Sequence, residues 1–361
     1  MPFKVAEYIR SIAPYVPGKP LEELEREYGI ADSVKLASNE NPLGPSPKAV
    51  AAIGETLGRL HRYPDGSAFA LTRKLARHLQ VGPEQIVLGN GSDEILGMLS
   101  RVLLGPGDEA VMPRPSFLMY EISVRASGAS PVFVSLKDLA IDLDRVADAV
   151  GERTRIVFLC NPNNPTGSVI DQKRMSDFLA VLPEGVVVVL DEAYIEFVRD
   201  AAAARGLTLM DTGRPLVILR TFSKAYGLAG LRVGYAVMPA ELAQLLHRVR
   251  MPFNVSSLAQ AGALAALDDQ AFLNKTLQQV HKGIDDLFQA LADREIACFP
   301  TQANFFLIDV KKSADAVFEE MLKKGVIVRS MSAYGYPTYI RVNAGADEEN
   351  RRLILALEQV L

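Results

Sequence analysis

From residue 85 to residue 238 the chain alternates between two kinds of segment. Short, nearly unbroken apolar runs at 85–88, 109–112, 131–135, 155–160, 185–190 and 216–219 read as buried strands. Between them, 93–104, 117–127, 142–150 and 171–181 space their apolar residues as helices do. Strands with no polar alternation, separated by helices, predict a mostly parallel sheet covered on both faces. The run 233–238 follows its predecessor too closely for a helical crossover, so it is expected to pair antiparallel with it.

The flanks read differently. Residues 5–12 predict one or two amphipathic turns, and Pro14, Pro17 and Pro20 then force an extended path. Residues 21–28 predict a helix with Leu21 and Leu24 on one face, and LASNENPLGPSP predicts a polar loop. A helix at 47–60, the turn HRYPDGS and a helix at 68–79 capped by Ser67 complete the approach to the sheet. Beyond Pro239 come helices at 241–250, 256–267 and 272–294. Short strands at 305–310, 326–329 and 338–342 follow, with helices at 314–323 and from about 348. The fold class expected is α/β, a large parallel-sheet domain with a smaller α+β domain. The division expected is an arm at 1–30 packing with the small domain, a large domain at 31–250 and a small one at 251–361, with the boundary near Met251-Pro252.

Composition narrows the function classes. A length of 361 residues with 49% hydrophobic and 23% charged residues suits a large soluble core, and a net charge of -4 offers no field for nucleic acid or membrane. Cys160 and Cys298 lie far apart, which fits a reducing compartment; Cys160 reads as a small buried apolar residue. The histidines His61, His78, His247 and His281 form no zinc-ligand spacing, so no metal is expected. No signal peptide or transmembrane run is expected either, and the location expected is cytoplasmic.

Four loops leave strand carboxyl ends, where doubly wound sheets collect their ligands. Gly89-Asn90-Gly91-Ser92-Asp93-Glu94 is a phosphate cradle on open backbone N–H groups, or a tight turn capped by Ser92 or Asp93. Asn161-Pro162-Asn163-Asn164-Pro165-Thr166-Gly167 carries more amide side chains than a chain reversal needs, and suits hydrogen bonding to a planar polar ligand. Asp191 leaves a strand of almost nothing but valine. It needs an arginine, or the protonated ring nitrogen of a ligand with the Tyr194 hydroxyl close by. Lys224 stands among Ala, Gly and Tyr after the strand at 216–219. It is a snorkelling edge residue or an amine kept reactive for Schiff-base chemistry. Ser223 adds a hydroxyl and Arg232 a planar cation suited to phosphate. A phosphorylated, protonatable pyridine aldehyde satisfies all four loops, as in pyridoxal 5'-phosphate.

ASNENPLGPSP, RYPDGS, GNGSDE, NPNNPTG, DEAYIEF, TFSKAYGLAGLRVGY and YIRVNAG, in this order and spacing, resemble the fold-type I aminotransferases over practically the whole chain. PYVPGKP, RYPDGS and DEAYIEF together point to the histidinol-phosphate branch. The resemblance implies a seven-stranded large-domain sheet and pyridoxal 5'-phosphate joined to Lys224, which then carries the proton from substrate Cα. It implies that Asp191 keeps the pyridine nitrogen protonated, and that Asn164 and Tyr194 hydrogen-bond the ring oxygen. Gly91, Ser92, Asp93, Ser223 and Arg232 would form the phosphate site, with Tyr63 reaching it from the other subunit of a homodimer. Phe117 would stack on the ring; many relatives carry Tyr there, so a hydroxyl contact is lost. Tyr15, Asn39, Arg329 and Arg341 would face the substrates. There the arginines would take the phosphate of histidinol phosphate and the carboxylate of glutamate or 2-oxoglutarate.

The rival readings are an aromatic amino-acid aminotransferase, a decarboxylase of phosphorylated amino acids, and a non-catalytic phosphate-binding protein. The last lacks a GxxxxGK[ST] or GxGxxG fingerprint and leaves Lys224 and Asp191 without a reason.

Overall fold

The computed structural model describes residues 3–15 and 17–361; Val16, inside PYVPGKP, and the first two residues of the expected arm lie outside the described residues. Among the described residues thirteen strands form: β1 Val34–Lys35, β2 Ile86–Gly89, β3 Glu109–Arg114, β4 Ser130–Ser135, β5 Thr154–Cys160, β6 Val187–Asp191, β7 Leu216–Thr221, β8 Gly234–Val237, β9 Ala297–Cys298, β10 Phe305–Asp309, β11 Val326–Ile327, β12 Arg329–Ser330 and β13 Tyr339–Asn343.

Seven of them make one sheet in the order β2-β8-β7-β6-β5-β3-β4. All neighbours are parallel except β8, which runs antiparallel to both β2 and β7, as its short connection requires. Successive side chains of a strand point to opposite faces. Val188, Leu190, Leu216 and Ile218 therefore enter one hydrophobic core, while Val187, Val189, Val217 and Leu219 enter the other. Helices 92–103, 119–126 and 240–249 cover the second face, and 69–79, 172–181 and 257–267 pack into the first. This two-sided burial is why the strands are apolar throughout, each fully buried Val or Leu contributing about 1.5–3 kcal/mol.

A four-stranded antiparallel sheet, β12-β13-β10-β9, stands apart from the large one. Residues 326–329, expected as one strand, divide at Val328. β11 pairs in parallel with β1, and β12 pairs with β13. β1, just before the expected loop LASNENPLGPSP, forms because its partner is supplied from 326–327. The helix 7–10 packs on the helix 119–126, and the helix 21–28 on the helix 314–323. Leu24 of that second helix is buried, whereas Leu21 is exposed. Ser67 does not cap the helix Phe69–Leu79. Asp65 does so, its Oδ2 accepting the Phe69 N–H at 2.8 Å while its Oδ1 holds Ser67. Among the described residues no helix is long and apolar enough to cross a membrane.

Candidate active site

The carboxyl ends of β2, β5, β6 and β7 converge on one cavity of ≈ 260 Å³. Every site residue named above lines it except Gly91 and Tyr63. Gly18, Ser38, Glu40, Cys160 and Tyr334 line it as well, none of them singled out as a site residue beforehand.

Lys224 is no snorkelling edge residue. Its Nζ donates to the Ser38 carbonyl at 3.0 Å and lies 5.8 Å from the centre of the Tyr194 ring. Loss of hydration, with the Arg341 guanidinium nearby, pushes its ammonium from 10.5 down to about 8. A neutral, nucleophilic amine is therefore within reach near neutral pH.

Asp191, the last residue of β6, finds neither an arginine nor any other ion pair among the described residues. Its Oδ2 accepts from the Tyr120 hydroxyl at 2.7 Å and its Oδ1 from the Ala193 N–H at 3.1 Å. Burial pushes its carboxyl from 3.8 up to about 6. The available arginine, Arg220, goes to the next residue instead, its Nε and Nη2 donating to Glu192 at 2.9 and 2.7 Å. Tyr120 was not distinguishable in the sequence from a core aromatic. It lies one helical turn after Phe117, parallel to Phe158 at 5.0 Å and edge-on to Phe117 at 5.6 Å.

The phosphate-cradle alternative for Gly89–Glu94 is favoured by how that helix starts. Six helices are capped by the side-chain oxygens of Ser46, Asp142, Asp171, Ser256, Asp269 and Ser313, while others, among them 119–126 and 240–249, have no such cap. The helix Ser92–Leu103 has Gly91 at its N-cap, with no side-chain cap, so Ser92 and Asp93 are its first helical residues. Its first N–H groups and the positive end of its dipole are left for an anion. Gly91 sits at φ 76°, and a Cβ there would lie 2.4 Å from Arg232 Nη2. Only glycine lets that guanidinium come so close. Arg232 also reaches Ser223 Oγ at 3.4 Å and Asp93 at 3.3 Å, while burial raises the Asp93 carboxyl above its usual range.

Across the cavity, Arg329 and Arg341 are direct partners in the β12–β13 register. This register places two guanidinium groups on the same side of the cavity. Arg341 is buried over the Phe305 ring, donates through Nη1 to Asn164 Oδ1 and through Nη2 to the Ala37 carbonyl at 2.7 Å, and leaves Nε unpartnered. Burial holds its guanidinium below the usual arginine range. Tyr194 is buried and accepts from Asn39 Nδ2 at 3.0 Å; Asn39 Oδ1 is buried without a partner among the described residues. Tyr63 is 83% exposed, outside the cavity, and stacks on Phe253 at 4.7 Å.

The sequence profile of the family Aminotransferase class I and II matches residues 31–357. The chain belongs to this family. Among its aminotransferase relatives, the histidinol-phosphate aminotransferase of Desulfotalea psychrophila is 51% identical, over 99% of this chain and 95% of that one. That of Moorella thermoacetica is 46% identical, over 99% and 93%. The crystal structure of histidinol-phosphate aminotransferase from Sinorhizobium meliloti in complex with pyridoxal-5'-phosphate superposes with a TM-score of 0.91. It is 32% identical, over 99% of this chain and 97% of that one.

The residues of this aminotransferase fit such a group. Asp191 is a buried carboxylate with a hydroxyl and an amide donor but no cation, the environment a protonated ring nitrogen completes. The uncapped helix start with Ser223 and Arg232 suits a phosphate, and the depressed Lys224 amine suits an aldehyde.

Proposed function

We propose that this protein moves the amino group of L-histidinol phosphate to 2-oxoglutarate, giving imidazole-acetol phosphate and L-glutamate in histidine biosynthesis, with pyridoxal 5'-phosphate as cofactor. The observation that carries this is full-length identity of 51% to an enzyme of that name, joined to a cavity holding amine, carboxylate, anion cradle and paired arginines. Bound pyridoxal 5'-phosphate supplies an aldehyde carbon and a ring that takes up the electron pair left when a Cα–H bond breaks.

The chain does the rest. Asp191 would keep a proton on the ring nitrogen, while Asn164 and Tyr194 would hydrogen-bond the ring oxygen. Ser92, Asp93, Ser223 and Arg232, with the close approach that Gly91 allows, hold the phosphate. Phe117, which lines the cavity, would cover the ring. Lys224 would act as the general base that takes the proton from substrate Cα. Arg341 and Arg329 fix the substrate anion, a phosphate in one half-reaction and a carboxylate in the other. Guanidinium accepts both because it is planar, forked and always charged. Tyr15 and Asn39 complete the substrate side. The reading divides the chain into an arm at 1–30, a large domain at 31–250 and a small domain at 251–361.

Tyr63 belongs to the same proposal. Exposed and outside its own cavity, it would serve the phosphate of the other subunit in a homodimer. Leu57, Leu60, Phe69 and Met251, also exposed, suit that interface. A cytoplasmic location fits the two unpaired cysteines.

The test is turnover of histidinol phosphate with 2-oxoglutarate, beside phenylalanine and tyrosine as donors. Histidinol phosphate is expected to have the highest kcat/KM, and Lys224→Ala to abolish turnover. Preference for the aromatic amino acids would refute the substrate, and an active Lys224→Ala protein the mechanism.

A further inference from the structure

Asn39 is held more firmly than a substrate contact requires. It sits in the left-handed region at φ 56°. Both of its main-chain groups are taken by asparagines at one end of the β10–β13 pair, Asn343 being the last residue of β13 and Asn304 the residue before β10. Its N–H donates to Asn343 Oδ1 at 3.0 Å, and its carbonyl accepts from Asn304 Nδ2 at 3.1 Å. Its own Nδ2 donates to the Tyr194 hydroxyl at 3.0 Å. Asn39, Asn304, Asn343 and Tyr194 are all buried. Among the described residues Asn39 Oδ1 and Asn304 Oδ1 remain buried without a partner, so what fixes Asn39 is the pair of bonds to its main chain.

A phenol has one proton to give and lone pairs that accept. With the Asn39 N–H aimed at its oxygen, the Tyr194 proton must point elsewhere. The Tyr194 ring lies edge-on to Phe305 at 4.9 Å and 78°, and its hydroxyl makes no other hydrogen bond among the described residues. Turning the amide round would let Tyr194 donate to Asn39. It would also bury an NH2 group with two protons and no acceptor in place of one orphaned carbonyl oxygen, which is the rarer and dearer arrangement.

We propose that Asn39 is a positioning residue for Tyr194: it occupies an acceptor site of the phenol and leaves the phenol's proton for an acceptor in the cavity, the cofactor's ring oxygen. Its anchors Asn343 and Asn304 stand at one end of the strand pair that carries Arg341. The donor at the cofactor ring is thereby tied to the strand that binds the substrate anion. This rests on the cofactor reading above.

The test is a pH titration of the visible absorption of the holoenzyme, which reads protonation of the Lys224–cofactor linkage. A donor on the ring oxygen stabilises the unprotonated linkage, so losing it raises the linkage pKa. Asn39→Gly keeps the left-handed backbone and its two main-chain bonds but removes the amide. It is expected to raise that pKa by roughly half to one unit, the effect of one hydrogen bond. Tyr194→Phe should raise it further, and Asn39→Gly should add nothing in the Tyr194→Phe background. In steady-state kinetics Asn39→Gly should lower kcat more than it raises KM. Asn39→Asp, isosteric but able only to accept, should shift the pKa upward more with Tyr194 present than in the Tyr194→Phe background. An unmoved pKa with a raised KM, or equal shifts in both backgrounds, would overturn the proposal. Absence of a visible band reducible onto Lys224 would instead overturn the cofactor reading, and this proposal with it.

Discussion

Asp191 shows at the scale of one residue what a cofactor site costs an enzyme without its cofactor. Its carboxyl titrates near 3.8 in an unfolded chain and near 6 when folded. The folded state therefore binds that proton more tightly. The group's contribution is fully present below 3.8 and is lost as pH rises through 6. Near pH 7.5 the buried anion costs on the order of 2–3 kcal/mol. Asn at this position removes the charge but gives up one of two accepted hydrogen bonds, worth about 1 kcal/mol. Cofactor-free Asp191→Asn protein is thus expected to melt a few degrees above wild type at pH 7.5, with the gap closing toward pH 5. The same variant should bind pyridoxal 5'-phosphate at least tenfold more weakly. Scanning calorimetry and a spectroscopic titration measure the two. A lower melting temperature at pH 7.5 would show that Asp191 carries no such burden. The sequence showed that this carboxylate needed a partner, but Tyr120 as that partner was not legible. A tyrosine on a helix facing a sheet reads as packing until the two elements are docked.

Among elements, the turn after β7 is held by direct backbone contact. Gly227 lies at φ 68°, and a Cβ there would meet the Gly44 carbonyl oxygen at 2.1 Å. Main chain cannot yield as a flexible side chain does. Gly227→Ala is therefore expected to lower stability by about 2–4 kcal/mol and to loosen the loop that carries Lys224. Urea unfolding midpoints and cofactor retention on dilution test this, and a midpoint within error of wild type would refute it. Core strands and helices were legible because period and composition agree over whole segments. Short pieces such as β1 and β11 were not, since two residues carry no period and their pairing is decided by what lies alongside. The cap at Asp65 was missed for a related reason: Asp65 and Ser67 are both competent, and only the path of the turn selects between them.

On the scale of the whole molecule, the site as proposed is incomplete in one chain. Tyr63 is a candidate cofactor ligand that its own cavity does not include. Light scattering should give twice the 39.3 kDa chain mass, and Tyr63→Ala should weaken cofactor binding about tenfold, as the loss of one phosphate contact does. Mixing Tyr63→Ala with Lys224→Ala subunits should restore native affinity at sites that pair an intact Lys224 with an intact Tyr63 from the other protomer. A monodisperse monomer at micromolar concentration would remove the basis for this.

The amino-acid order by itself determined the alternation of apolar strands and helices, the antiparallel turn-back of β8, and the polar loops at strand carboxyl ends that line the cavity. Each of these is a local pattern, fixed by side-chain period or by the conformational demands of Gly, Pro and Asn. The tertiary structure alone decided which groups meet. It placed Tyr120 on Asp191, Ser38 under Lys224, two arginines opposite each other across β12 and β13, and Asn39 on Tyr194. Those contacts join residues distant in the chain, and burial, which sets how far Lys224 and Asp191 depart from their ordinary acidity, exists only once the layers have closed over them.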